Sequence, residues 1–192
     1  VIRNPFDMKP VFNPCKKPKF NANETDISIQ AQKRIELDNL DENIWFETPI
    51  AIKENLVDKT AAKLGLLNQQ SNYSLLVDCD NIQQLGLAIE DDVVIMHKGK
   101  LAELHEPIAD NEVLVRASDG IMRAMTSGQS YHRYTWGISS LDGYSNHPLY
   151  EKPEFDSLDD LTFRVEHERT MTVTEGTTAA FLIHVDIYPL KE

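Results

Sequence analysis

The residues best placed to do chemistry are one histidine and two glutamates. His105 lies at a predicted helix end just before Pro107, from where an imidazole could reach into a cavity and bind a metal. On spacing alone, a surface or core histidine is the commoner case. Glu166 and Glu168 lie two residues apart in an alternating segment, which directs both carboxylates to one face of a strand. Such a charged face is usually solvated and crossed by ion pairs, and it becomes a candidate site only beneath a covering layer.

The remaining histidines and the cysteines form no motif with metal-ligand spacing. The other five histidines are His97, His132, His147, His167 and His184. The two cysteines, Cys15 and Cys79, are far apart, and the sequence has no C-x-x-C pair or C-x-x-C-H haem attachment. GxGxxG, GxxxxGK and GxSxG are also absent. A zinc enzyme, a disulfide framework, a nucleotide-phosphate site and a serine hydrolase are therefore not indicated.

Composition and charge narrow the class of protein further. The chain has 192 residues, 41% of them hydrophobic, which suits one sizeable core. Its formal charge of -12 disfavours nucleic acid and anionic membranes; it serves solubility first and would suit a basic protein partner. No apolar run reaches about 18 residues, and the first residues lack the layout of a signal peptide. We therefore expect a cytoplasmic protein that neither spans a membrane nor is exported.

The elements that must position these residues form a predicted α+β fold. Four prolines within residues 1–24 disfavour regular structure and predict an extended segment that wraps a single domain, residues 25–192. Thr48-Pro49 predicts the start of a helix that ends near Gly65. Leu101, Leu104 and Ile108 are spaced as on one face of a helix, which Pro107 is expected to end near His105, and a further helix is predicted over residues 112–126. Residues 74–77 form a short apolar stretch, and strands are predicted over residues 89–96, 131–139, 161–174 and 179–188. Three strands in succession at the C-terminal end predict an antiparallel sheet, and residues 140–160 a long surface connection.

Several short pieces, taken in order, resemble the haem-binding alpha subunit of the oxidative N-demethylase family. Leu104-His105-Glu106-Pro107-Ile108 is similar to that family's Ile-His-x-Pro-Val motif. Arg133-Tyr134-Thr135-Trp136 resembles its Arg-x-Asn-Trp strand, with threonine in place of asparagine. The other similar pieces are Leu85-Gly86, Ile89-Glu90-Asp91, Phe163-Arg164-Val165-Glu166 and Phe181-Leu182-Ile183. The resemblance loosely spans much of the chain, although the family's Phe-Pro-Ser-x-Trp stretch before the histidine is missing.

The resemblance implies a PAS-like fold, an antiparallel sheet with flanking helices, that holds haem b. It implies His105 as the axial ligand of the haem iron, with Arg133 and a glutamate on the distal side. An ungapped comparison selects Glu166 as this glutamate, whereas a one-residue gap selects Glu168, which we slightly favour. A guanidinium would stabilise charge developing on oxygen, and a carboxylate would pair with an ammonium substrate.

The implied activity is that of an oxidoreductase of the monooxygenase type. It would use oxygen to demethylate a small secondary amine such as dimethylamine, releasing formaldehyde. Electrons would come from NADPH through separate flavin and iron-sulfur subunits of a hetero-oligomer, because this sequence has no motif for those cofactors. A non-catalytic PAS-like sensor that binds haem or another small ligand is the alternative, and a haem-free structural subunit is a third possibility.

Overall fold

The computed structural model describes residues 13–15, 27–40, 47–69, 79–98, 111–141, 143–145 and 150–190. Within these ranges five α-helices surround a five-stranded sheet. The helices are α1 (Ile27–Leu40), α2 (Pro49–Lys53), α3 (Leu56–Gln69), α4 (Ile82–Ala88) and α5 (Asn111–Met125). The strands are β1 (Asn13–Cys15), β2 (Asp92–His97), β3 (Ser130–Ser139), β4 (Thr162–Thr174) and β5 (Thr178–Pro189). No helix among these residues is long and apolar enough to cross a membrane.

The sheet is open and antiparallel throughout, in the order β1-β3-β4-β5-β2. Its centre is the long hairpin of β4 and β5, closed by a tight turn in which Gly176 has a φ of 71°. A positive φ favours glycine because it has no side chain to clash with the backbone. The predicted α+β class and the antiparallel C-terminal strands are thus confirmed, and β2 and β1 complete the sheet at its two edges.

One face of the sheet forms the main core beneath α3 and α4. Leu85 of α4 and Leu182 of β5 are fully buried there and meet Met171 of β4. The same cluster includes Val57, Ala61, Leu64, Cys79, Ile89 and Ala180. Burying one such leucine contributes about 1.5–3 kcal/mol, so this packing anchors β4 and β5.

The opposite face is covered at one end by α5. Ile121 and Met125 lie one turn apart on this helix and pack against Met96 of β2 and Ala179 of β5. The same face of the sheet carries Glu168, because residues that alternate along a strand share a face. Glu166 follows it two residues away, so the two predicted carboxylates do point the same way.

The helix predicted over residues 48–65 is two helices. Thr48 caps α2 as predicted, its Oγ1 accepting a hydrogen bond from the Ala51 amide at 3.3 Å. The chain then turns at Glu54 and Asn55, where Asn55 has a φ of 50°, and α3 continues to Gln69. The predicted end at Gly65 is wrong because tertiary packing of α3 outweighs the roughly 1 kcal/mol cost of a glycine within a helix.

Other boundaries agree or shift by a few residues. The helix predicted at 112–126 and the three late strands are confirmed, although Gly120 lies inside α5, where its neighbours leave room for a side chain. The strand predicted to begin at Ile89 begins at Asp92, after the short helix α4, which no pattern had predicted. Of the predicted N-terminal wrap, only β1 lies among the described residues. The elements predicted at 74–77 and 101–108 lie outside them.

Candidate functional site

The structure brings two of the predicted site residues into contact. Arg133 of β3 lies directly opposite Glu168 of β4, and its Nε donates to Glu168 Oε2 in an ion pair. The Glu168 side chain is only 7% exposed, whereas that of Arg133 is 27% exposed. A carboxylate buried to this degree needs a partner to offset its desolvation. Glu168 therefore holds the Arg133 guanidinium in one position.

Thr135 links this pair to the second predicted glutamate. Its Oγ1 lies 3.2 Å from Glu166 Oε2 and 3.4 Å from Glu168 Oε1, so one hydroxyl proton serves both carboxylates in turn. Glu166 Oε1 also accepts a hydrogen bond from Arg164 Nε at 3.0 Å. Hydrogen bonds and ion pairs thus connect polar side chains across β3 and β4, from Arg133 to Arg164. Thr135, in the middle of this row, occupies the position at which the resemblance expects asparagine.

A cavity of about 740 Å³ opens beside this polar row, between α1, the start of α2, β2 and the strands β4 and β5. Glu166 and Arg164 line it, and the residues that line it do not include Glu168 or Arg133. Most of its wall is apolar, formed by Ile29, Ala51, Val57, Ile82, Ile183 and Val185. Its volume is within the range of cavities that bind small organic ligands. The two glutamates therefore have different surroundings, one facing the cavity and one holding an arginine.

The charged groups on the cavity wall are mainly acidic. Among the described residues, five carboxylates line it, against two cationic side chains, Lys33 and Arg164. The carboxylates belong to Glu36, Glu47, Glu90, Asp92 and Glu166. Several already have donors within the protein: Glu36 accepts from Tyr150 Oη at 2.6 Å, and Glu47 from the Ile82 amide. The remaining potential is negative, and it favours a cationic or proton-donating ligand.

Lys33 fastens α1 over this cavity. Its Nζ donates to the carbonyl oxygens of Gly86, Ile89 and Asp91 at 2.8–3.1 Å and lies 3.6 Å from Asp92 Oδ1. Burial lowers the pKa of Lys33, and the nearby carboxylates partly oppose this shift. These contacts attach one helix to the turn between α4 and β2, so α1 forms a wall of the cavity.

A buried charge cluster lies next to the same turn. The Asp91 carboxylate accepts from Arg169 Nη2 on one oxygen, while its other oxygen lies 3.2 Å from His184 Nδ1. The side chains of Asp91 and Arg169 are 6% and 4% exposed. The hydrogen bond to Asp91 raises the pKa of His184, although burial of the imidazole opposes this shift. His184 also lines the cavity, so this cluster adjoins the candidate site.

Aromatic rings occupy the other face of β3 and β4, away from Arg133 and Glu168. The His167 ring stacks on Tyr134 with centroids 4.3 Å apart, and His132 meets it edge-on at 5.5 Å. Burial, followed by the positive charge of Arg169, lowers the pKa of His167 to about 4. His167 is therefore neutral near pH 7, and this cluster is a packing feature separate from the cavity.

Sequence reasoning missed Lys33, Asp91 and His184. Lys33 belongs to a helix with weak amphipathic patterning, and a single lysine gives no signal of a contact more than 50 residues away. Asp91 belongs to the Ile89-Glu90-Asp91 stretch that carries the resemblance, but nothing in that stretch indicates a contact with Arg169 or His184. Alternation does place His184 beside His167 on neighbouring strands, but only the fold brings Asp91 to its ring.

His105, the predicted axial ligand, lies outside the described residues, so its role stays a prediction. Among the residues that the structure does describe, no group of three or more histidine, cysteine, aspartate or glutamate side chains could hold a metal ion. No family model matches this chain, and a search of curated proteins finds no significant match.

Proposed function

We propose that this chain is the haem-binding subunit of an oxygen-dependent oxidative N-demethylase that acts on a small secondary amine. The observation that carries the proposal is the contact of Arg133 with Glu168, extended through Thr135 to Glu166. These residues come from two strands, and three of them, Arg133, Glu166 and Glu168, are the site residues that the resemblance implies. A PAS-like fold and a cytoplasmic location belong to the same proposal.

The cavity wall offers the groups that a porphyrin needs. Aliphatic side chains from α1, α3, β2 and β5 suit the apolar faces of a macrocycle. Among the described cations of the wall, Lys33 already donates to three carbonyl oxygens, which leaves the Arg164 guanidinium to pair with a propionate. We assign the axial position to His105, on the resemblance alone.

The protein's own residues would prepare the substrate. Haem, when bound, supplies the oxidation of the amine by oxygen. Glu166, which faces the cavity, pairs with the ammonium group, whereas Glu168 keeps the Arg133 guanidinium fixed as a donor for charge that develops on oxygen. The apolar wall excludes water and so strengthens the pairing of Glu166 with the ammonium group. Reductase subunits would deliver the electrons.

A haemin titration tests the proposal. We expect the purified chain to bind haemin with a Soret band, and His105→Ala to lose tight binding while it remains folded by circular dichroism. His132→Ala is the matched control, because His132 lies on the opposite face of the sheet from Glu168 and should leave the band unchanged. A full Soret band in His105→Ala would reject the axial assignment, and a chain that ignores haemin would reject the haem function.

The acidic excess on the cavity wall favours a second function, a haem-free module that binds a small organic cation. Five carboxylates against two cations, counted over the part of the wall that the structure describes, give a negative potential that suits an ammonium ligand without any prosthetic group. The same titration separates the two functions. A protein that leaves the absorbance spectrum of added haemin unchanged but binds an organic ammonium ion in calorimetry would be the binding module.

A further inference from the structure

The unassigned group with the most specific geometry is the pair of Asp91 and His184. A carboxylate can only accept a hydrogen bond, so Nδ1 of His184 carries the proton that it shares with Asp91 Oδ1 at 3.2 Å. Arg169 pairs with the other oxygen of Asp91, which holds the carboxylate in one orientation. The tautomer and the ring orientation of His184 are therefore both fixed.

This arrangement leaves Nε2 as the ring nitrogen that can meet a ligand. In the neutral ring Nε2 is an acceptor, and it lies 3.6 Å from Asp186 Oδ1, beyond hydrogen-bond range. His184 lines the 740 Å³ cavity, as does Glu90, whose carboxylate lies 3.9 Å from its ring. An oriented acceptor on a mainly acidic wall matches a cation that carries an N–H group.

We infer that His184, oriented by Asp91, recognises the N–H of a protonated secondary amine held in the cavity. His184 is then a specificity-determining residue, and Asp91 is a positioning residue that acts through it. The inference rests on the amine ligand of the proposed function but does not require haem. It separates a secondary ammonium ion, which can donate to Nε2, from a quaternary ammonium ion, which has the same charge and no proton to donate.

The recognition should depend on pH, because a protonated His184 donates from Nε2 and can no longer accept. The ionisable groups around the ring are Glu90 and Asp91 in the turn before β2, His167 and Arg169 on β4, and Asp186 on β5. Asp92 of β2 and Lys33 of α1 line the same cavity. Asp91 raises the pKa of His184. The preference for the secondary over the quaternary ammonium ion is therefore complete above the raised pKa of His184 and is lost as the pH falls through that pKa.

Isothermal titration calorimetry of the full chain with two probes tests the inference. The probes are N-methylbenzylamine, which is protonated at mildly alkaline pH, and benzyltrimethylammonium, which lacks an N–H. A hydrogen bond to a charged group changes affinity by about tenfold or more. The quantity compared is the ratio of the affinities for the secondary amine and for the quaternary ion. We expect this ratio to be larger by that factor in the wild type than in His184→Phe, which keeps a planar ring and has no acceptor. His184→Gln, whose amide oxygen can accept, should restore part of the preference and remove its pH dependence.

The outcomes distinguish failure of this inference from failure of the proposed function on which it rests. Equal selectivity in wild type and His184→Phe, with both probes bound, would overturn the recognition by His184 and leave the proposed function standing. Failure of both probes to bind would overturn the inference together with the amine site. A retained preference in a chain that ignores haemin would support His184 and reject the haem function alone. Proton-detected ¹⁵N spectra add a test without ligand, since a proton on Nε2 of the neutral ring would contradict the assigned tautomer.

Discussion

Replacing Arg169 with methionine should destabilise the domain strongly and in a pH-dependent way. Arg169 and Asp91 are both almost fully buried, and the substitution removes the guanidinium while it keeps most of the side-chain volume. Removing one partner of a buried ion pair typically costs 3–5 kcal/mol, because the other charge is left without compensation. That loss is a large fraction of the roughly 5–15 kcal/mol by which a domain is stable.

His184 determines the pH dependence of this loss. It already contacts Asp91, and without Arg169 the remaining negative charge should raise the pKa of His184 further above its ordinary value. A raised folded-state pKa means that the protonated imidazole contributes stability at low pH and that this contribution disappears as the pH rises through that pKa. Arg169→Met should therefore lose more stability at alkaline pH than at mildly acidic pH.

Urea unfolding at several pH values measures the effect through the free energy of unfolding. The double variant Asp91→Asn/Arg169→Met should recover much of the stability lost by Arg169→Met, because it removes the uncompensated charge as well. Lys53→Met, on the exposed side of α2, is a control for the methionine itself. A loss below about 1 kcal/mol, or strictly additive effects in the double variant, would refute the assignment of a buried, coupled ion pair.

Two further predictions concern the other face of the sheet and the wall of the cavity. His167 should titrate near pH 4 in an NMR experiment. Because its folded-state pKa is lowered, the free energy of unfolding should fall as the pH falls from about 6.5 to 4. Titration of His167 at the ordinary histidine pKa would contradict its burial against Tyr134. Lys33→Met should speed amide hydrogen exchange in α1 relative to Lys53→Met, because three hydrogen bonds to the turn before β2 are lost. Unchanged exchange in α1 would show that Lys33 does not hold the helix.

Periodicity predicted the late strands well because each one is long and pairs with its neighbour in the chain. In β4, successive side chains of residues 162–174 point to opposite faces of the sheet. The shared face of Glu166 and Glu168 therefore follows from their spacing of two residues alone. The helices were predicted less well. Nothing in the local pattern indicates that the chain turns at Asn55 or that α3 runs past Gly65, since long-range packing decides both.

The sequence predicts a residue of the candidate site only where that residue shares a strand with another site residue or belongs to a motif that carries the resemblance. Arg133 could be named, but its partner could not be fixed, because both glutamates point to the same face and only the register places Glu168 opposite it. The contacts of Asp91 with Arg169 and His184 span 78 and 93 residues of sequence. Local reasoning cannot supply pairings at such separations, because they depend on how β2 and the turn before it meet the edge of β5.

Alternation gives the two glutamates the same direction, but their surroundings give them different chemistry. Glu168 is buried opposite a guanidinium, so its charge is already compensated and its freedom to bind a second cation is small. Glu166 shares its carboxylate between Thr135 and Arg164 yet still lines the cavity, where a ligand can compete for one of its oxygens. His184 also lines the cavity, but from the opposite face of the sheet, because Glu166 pairs with Val185 whereas His184 pairs with His167. A small ammonium ion therefore meets these two acceptors at separate positions, and the selectivity due to His184 can be measured independently of Glu166.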